Sequence, residues 1–183
     1  MESKRGEEEQ FNFPTMIAIK GPSSVKKTEI ATKLANFLHY PLIDEADVIV
    51  ALQNSITTSP TNDSNISAEY YDELPFKIAC QITSTQLDLE LKVIFNTVLS
   101  ERSHFEHLVQ LANSHEACLL VIDCEDENHG FNDCYSVGNV RKLKIDTTKA
   151  FVVEEFVPAM LQAVELPQEI NLARDEGAFV RGV

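Results

Sequence analysis

Three residue types needed to hold a phosphate chain stand close together near the start of this sequence. They are Gly21, Lys27 and Thr28, within the run Gly21-Pro22-Ser23-Ser24-Val25-Lys26-Lys27-Thr28. A glycine lets backbone N–H groups close on phosphate oxygens, a lysine neutralises the outer phosphates, and a hydroxyl next to it binds Mg²⁺. That is the chemistry of the phosphate-binding pattern G-x-x-x-x-G-K-[ST]. All eight residues are candidates to contact a nucleotide. Lys27 is the candidate for stabilising the transferred phosphate and Thr28 for holding a metal, so the expected ligands are ATP and Mg²⁺. One position departs from the pattern: Lys26 stands where the second glycine belongs. Glycine is used where φ must be positive or a ligand comes close. A side chain at that position is therefore expected to cost ~1–3 kcal/mol in strain and to crowd the phosphates, while its charge offsets part of the loss.

A second group of chemical interest is acidic. Asp44, Glu45 and Asp47 follow the short run Pro41-Leu42-Ile43. Asp44 and Asp47 are candidates for a general base and a metal partner, and solvated acids capping the next helix are the alternative reading. Asp123 closes the run Cys118-Leu119-Leu120-Val121-Ile122 and reads as structural. Cys124, His129 and Cys134 are spaced too widely for a zinc site and lack a fourth ligand. His104 and His107 read as surface residues flanking Phe105, and no Gly-x-Ser-x-Gly elbow is present.

The elements that must position these groups follow from pattern. Met16 to Lys20 is apolar enough for a buried strand. A helix is expected from Lys27 to Leu38, where Ile30, Leu34 and Leu38 form one stripe with Ala31 and Ala35, and Pro41 ends it. A second strand spans 41–44, and a short helix Val48 to Leu52. A loop rich in Ser, Thr and Asn runs from Gln53 to Ser67. A helix over Asp72 to Asp88 should turn Leu74, Ile78 and Ile82 inward. A strand over Lys92 to Val98 leads to a helix over Glu101 to Ser114, with Ser100 as its expected cap. A strand over Cys118 to Asp123 and a polar loop over Glu125 to Tyr135 come next. The last strand is Lys142 to Asp146, followed by a helix over Phe151 to Val164, capped by Thr147 or Thr148 and kinked or restarted at Pro158.

Strands and helices alternate five times. The expected fold is α/β: a five-stranded parallel sheet with helices on both faces and right-handed crossovers. Ligands of such sheets bind at the carboxyl ends of the strands, where Gly21, Asp44, Asn96 and Asp123 should converge. The expected organisation is a disordered tail over 1–14, one domain over 15–165 and a weakly ordered tail over 166–183.

The 183 residues suit one such domain, and the formal net charge of −14 with no basic stripe argues against nucleic-acid and anionic-membrane partners. No apolar run approaches the roughly 18 residues of a membrane span. The N-terminal MESKRGEEEQ has no apolar segment, so it does not read as a secretory signal. The four cysteines form no disulfide framework and read as reduced thiols in a cytoplasmic or nuclear setting.

Four stretches carry a resemblance across about residues 15–165: MIAIKGPSSVKKTEIATKLA, PLIDEADV, LKVIFNTVLSERSHFEHL and CYSVGNVRKLKIDTT. The chain resembles the P-loop NTPase superfamily, in its P-loop kinase and zeta-toxin-like ATPase branch, including plant proteins of unassigned substrate. The resemblance implies that Lys27 and Thr28 hold ATP and Mg²⁺. It also implies that Asp47, with Asp44 beside it, serves as base or substrate contact, and that phosphate passes to a small acceptor. The chain departs from the family at three places. Lys26 replaces a glycine. Asn96 stands where an acid commonly orients Mg²⁺ through water. The lid region reads Cys124-Glu125-Asp126-Glu127-Asn128-His129, without the arginines that embrace phosphates. Acids there would repel ATP, and Arg141, Lys142 and Lys144 are poor substitutes by spacing. The alternative reading is a catalytically inactive member that binds a protein partner.

Overall fold

A computed structural model describes residues 13–57, 68–125 and 140–165. Among them, strands β1 (Thr15–Lys20), β2 (Leu42–Asp44), β3 (Val93–Asn96), β4 (Cys118–Glu125) and β5 (Arg141–Asp146) form one sheet in the order β2-β3-β1-β4-β5. Every pairing is parallel, as the alternating pattern predicts. Helices α1 (Val25–Leu38), α2 (Glu45–Thr57), α3 (Ala68–Asp88) and α4 (Arg102–Ser114) lie between the strands from β1 to β4, and α5 (Val153–Glu165) follows β5. None of these helices is long and apolar enough to cross a membrane.

Both faces of the sheet are covered because the central strands are apolar at consecutive positions. In β1, Ile17 and Ile19 pack with Ile30, Leu34 and Leu38 of α1 and with Val157, Met160 and Val164 of α5. Met16 and Ala18 point the other way, against Phe76, Ala79 and Cys80 of α3 and Leu108 and Ala112 of α4. This is the period-two alternation of a strand between two helical layers. The stripe expected on α1 is the buried one. On α3 it is not: Phe76, Ala79, Cys80, Thr83 and Leu87 are buried, while Ile82 is exposed. The buried residues recur at the helical spacing and include small and polar side chains, which an apolar count passes over.

The helix starts differ from expectation for identifiable reasons. Helix α1 begins at Val25 because Ser24 caps it, its Oγ accepting from the Lys27 amide at 3.1 Å. It ends at His39, which adopts the left-handed conformation at φ 58° before Pro41 is reached. Helix α2 starts directly at Glu45 and runs through Gln53 to Thr57, five residues into the expected loop. The remaining loop positions, 58–67, lie outside the described residues. Ser100 does not cap α4: Glu101 occupies the cap position without a side-chain hydrogen bond. Thr147 and Thr148 do not cap α5, which starts only at Val153 and continues through Pro158. Instead the Thr148 amide and hydroxyl donate to Asp146 Oδ1 at 2.9 and 2.5 Å, shaping the turn after β5. Those hydrogen bonds hold the Asp146 carboxyl low, at about 2. Of the expected tails at 1–14 and 166–183, residues 1–12 and 166–183 fall outside the described residues.

Candidate functional site

The site is assembled at the carboxyl ends of β1, β2 and β3. Strand β1 runs into Gly21, whose φ is 139°. A Cβ at this position would lie 2.7 Å from the Cys124 carbonyl oxygen of β4. Both the conformation and the contact require glycine here. The Gly21 amide donates to the Val98 carbonyl at 3.3 Å and the Thr97 amide to the Ile19 carbonyl at 3.1 Å. The loop is thereby tied to the segment after β3. In that segment Leu99 is buried and left-handed at φ 51°, a conformation uncommon outside glycine.

The loop then enters α1. Ser23, Ser24 and Thr28 are exposed, Val25 is 87 % exposed and Pro22 half-buried. An open cleft of about 450 Å³ is bordered by Ser23, Ser24, Val25 and Thr28. The first turn of α1 carries no acid, so nothing there opposes an anion at the positive end of the helix.

Lys27 turns inward. It is 3 % exposed, and its Nζ donates to the Gly21 carbonyl at 2.8 Å and to the Thr97 carbonyl at 2.7 Å. Burial lowers its pKa from 10.5 to about 8, an effect opposed by Cys124, Asp44 and Glu45 nearby. Cys124 itself is pushed up to about 11, chiefly by burial.

Lys26 does not behave as the sequence pattern suggests. It lies within α1 and is not among the residues with positive φ, so its side chain imposes no left-handed strain. Nor does it fill the loop: Nζ reaches away to the Thr147 carbonyl at 2.9 Å, across to the end of β5. There it borders a cavity of about 300 Å³ with Ile30, Lys33, Thr147, Lys149 and Phe151. The cap supplied by Ser24 is the reason. It places Lys26 in a regular first turn, where any side chain fits.

A smaller cleft of about 110 Å³ adjoins Lys27 and Thr28 and is lined by Asp44, Glu45, Asn96 and Thr97 as well. Asp44, at the end of β2, accepts from the Ala46 amide at 2.9 Å through Oδ1 and from Asn96 Nδ2 at 2.8 Å through Oδ2. Glu45 Oε2 accepts from the Thr97 hydroxyl at 2.6 Å. Asn96 is 3 % exposed and its Oδ1 has no partner. Leaving such an acceptor unmatched costs about 1–3 kcal/mol.

Among the residues singled out from the sequence, Lys27, Thr28 and Asp44 are brought together. Asp47 is exposed in the first turn of α2 and does not line the cleft. Glu45, which sequence reasoning left unassigned, lines the cleft instead. The signal was the acidic run itself; which acid faces inward depends on where α2 begins. Thr97 was also missed, because it acts through its backbone carbonyl as well as its hydroxyl.

Asp123 is buried at the end of β4, 2.7 Å from Lys142 Nζ and 3.5 Å from the buried Lys20 Nζ. Arg141 donates to Cys118 Sγ at 3.3 Å. These groups belong to the sheet scaffold. His104 stacks on Phe76, ring centroids 4.0 Å apart, rather than standing free beside Phe105. Among the described residues no cluster of three metal-ligating side chains occurs. Of the spaced trio, His129 and Cys134 lie outside the described residues, as does the acidic lid from Asp126 onward.

No family model and no curated protein matches the chain. Solved structures do. A candidate kinase from Chloroflexus aurantiacus superposes with a TM-score of 0.61 at 15 % identity, covering 81 % of this chain and 94 % of its own. The APS kinase of Mycobacterium tuberculosis gives 0.56 at 12 % identity, covering 84 % and 99 %. A gluconokinase from Sinorhizobium meliloti gives 0.52 at 16 % identity, covering 83 % and 92 %. At such identities the likeness is one of fold. The all-parallel sheet, the glycine turn after β1 and the inward Lys27 are thus set in a frame shared nearly end to end with these proteins, and the chain has the P-loop kinase-like NTPase fold.

Proposed function

We propose that the protein binds Mg²⁺-ATP at residues Gly21 to Thr28 and passes phosphate to a small acceptor. One observation carries this reading. Lys27 is buried at the carboxyl end of the sheet with its ammonium held inside the loop, beside a capped helix N-terminus that bears no acid. A buried lysine with no ion pair among the described residues is costly, and phosphate oxygens are the natural partner for it in this position.

The residues fit the ligand. Backbone groups of Pro22, Ser23, Ser24, Val25 and Lys26 would border the phosphates, with Lys27 neutralising the outer ones. The Thr28 hydroxyl, exposed at the shared edge of both clefts, would hold Mg²⁺, which supplies charge neutralisation to phosphoryl transfer. Asp44 is the better-placed general base, since it lines the cleft and Asp47 does not. Among the structural relatives, one M. tuberculosis APS kinase was solved with AMPPNP and APS, which supports nucleotide and small-molecule binding on this fold. The free thiols of Cys80, Cys118 and Cys124 accord with a reducing compartment, cytoplasmic or nuclear.

A second reading is a binding protein that has lost catalysis. The observation favouring it is Asn96: an amide stands beside Asp44 where a second carboxylate would help orient Mg²⁺, and Lys27 is satisfied by the protein's own carbonyls.

Calorimetric titration with Mg²⁺-ATP separates the readings, using the natural protein, Lys26→Gly and Lys27→Ala. Saturable binding that Lys27→Ala abolishes supports the first. No binding by any of the three overturns it. Phosphate release or transfer measured on the binding-competent forms then distinguishes an active enzyme from an inactive one.

A further inference from the structure

The cavity between α1 and the turn after β5 runs against the charge of the molecule. In a chain of net charge −14, the described residues lining it include three lysines, Lys26, Lys33 and Lys149, and one acid, Glu29. Lys26, Glu29, Ile30 and Lys33 recur at helical spacing and so share one strip of α1. Val25 and Thr28, which border the open cleft at the start of the helix, lie on the adjoining strip. The other wall is the turn before α5. There Phe151 is half-buried and set edge-to-face on Phe156, ring centroids 5.4 Å apart. With the buried Ile30 it gives the cavity an apolar side.

The present partners of the lysines are weak or neutral. Lys33 pairs with Glu29 at 2.7 Å and Lys149 with Asp146 at 3.0 Å. Both pairs lie at the surface, where such pairs contribute little. Lys26 donates to the neutral Thr147 carbonyl at 2.9 Å. An ammonium has three N–H donors, so Lys26 can keep that bond and donate to an incoming oxygen as well. The volume of about 300 Å³ is within the range of small-ligand sites. An apolar side suits an uncharged ring. Three ammonium groups beside it suit an anion, and a phosphate meets them with charge-assisted hydrogen bonds.

We infer that Lys26, Lys33 and Lys149 make this cavity selective for a nucleotide that carries a second phosphate on its ribose. The base lies against Ile30 and Phe151, the ribose phosphate among the three ammonium groups, and the 5′ phosphates at Gly21 to Thr28. The last placement rests on the function proposed above; the ribose-phosphate subsite does not.

The test uses ADP and adenosine 3′,5′-bisphosphate, which are isomers, so that only the place of the second phosphate differs. Calorimetric titration of the full chain at one ionic strength and one Mg²⁺ concentration should show the bisphosphate binding at least tenfold more tightly. Lys33→Gln and Lys149→Gln, each at an exposed position, should each reduce that ratio at least threefold. Lys77→Gln removes the same charge from α3, on the other face of the sheet, and should leave the ratio unchanged. 3′-AMP, which has no 5′ phosphate, should also saturate. ADP binding as tight as the bisphosphate or tighter overturns the inference and leaves the proposed function standing. So does a preference that Lys77→Gln lowers as much as the cavity variants do, which is attraction to charge alone. Saturation by the bisphosphate and 3′-AMP, with none by ADP or Mg²⁺-ATP, keeps the subsite and overturns phosphate binding at the loop. No saturation by any of these probes overturns both.

Discussion

Lys27 and Thr97 are joined by the shortest bond of the loop lysine: Nζ donates to the Thr97 carbonyl at 2.7 Å. The Thr97 hydroxyl in turn donates to Glu45 at 2.6 Å. One residue at the end of β3 thus links the buried loop lysine to the acidic cleft. The arrangement is a relay of hydrogen bonds in a region of low dielectric, where a lost partner is felt by its neighbours.

Lys27 is expected to titrate in a readable way. Its folded pKa of about 8 lies below the ordinary 10.5, mainly through burial. Below pH 8 both folded and unfolded chains carry the proton, and the folded state bears the full cost of the buried charge. Between about 8 and 10.5 the unfolded chain holds more protons, so this group makes stability rise with pH. The relief is of order 3 kcal/mol at most. Urea melts from pH 7 to 10.5 should show a stability gain in the natural protein relative to Lys27→Met. Parallel curves for the two proteins would refute the assignment.

Nucleotide affinity should move the other way. Phosphate needs the charged lysine, so the affinity of the natural protein for Mg²⁺-ATP should fall as pH rises through about 8. At pH 7, Lys27→Ala should bind at least a hundredfold more weakly, about 3 kcal/mol. Calorimetry at pH 7 and 9 reads both effects.

Lys26→Gly should not repair the loop. Since Lys26 sits in a helical turn and its ammonium reaches Thr147, the substitution places glycine inside α1 at a cost of about 1 kcal/mol. ATP affinity should stay within threefold of the natural protein. A tenfold gain would show that the side chain does obstruct the phosphates.

Gly21→Ala should destabilise the fold by more than about 2 kcal/mol, because φ 139° and the 2.7 Å approach to the Cys124 carbonyl both resist a Cβ. The measurement is the urea midpoint at unchanged slope. An alanine variant as stable as the natural protein would contradict the loop geometry.

Asp123→Ala should cost about 3–5 kcal/mol, since it removes a buried carboxylate from between Lys20 and Lys142. The loss should appear in stability and leave the ATP affinity of the folded fraction unchanged, consistent with a structural part. A large drop in affinity without a drop in stability would assign Asp123 to the site.

Much of the architecture was legible in the chain. Consecutive apolar residues at 16–19 and 118–122 imply strands buried on both faces, and that alone commits the sheet to parallel order under two layers of helices. Ile30, Leu34 and Leu38 point to one face of α1 by spacing, and they are buried there. Strand ends, cap positions and the inward face of α3 were less legible. They turn on single hydrogen bonds, such as Ser24 Oγ to the Lys27 amide, and on small residues such as Ala79 that carry little hydropathy signal.

The sequence by itself determined that a lysine and a hydroxyl follow a glycine turn at the mouth of a parallel sheet. It also determined that acids gather after the second strand, because residue order and apolar period are local properties. The tertiary structure decided how those residues face. It turned Lys26 out to Thr147 and folded Lys27 in upon Gly21 and Thr97. It chose Asp44 and Glu45 over Asp47 and left Asn96 Oδ1 without a partner. Each of these depends on where a helix begins and which strand lies beside it. Such contacts, between residues as far apart as Asp44 and Asn96, are set by packing and by nothing in the local run of residues.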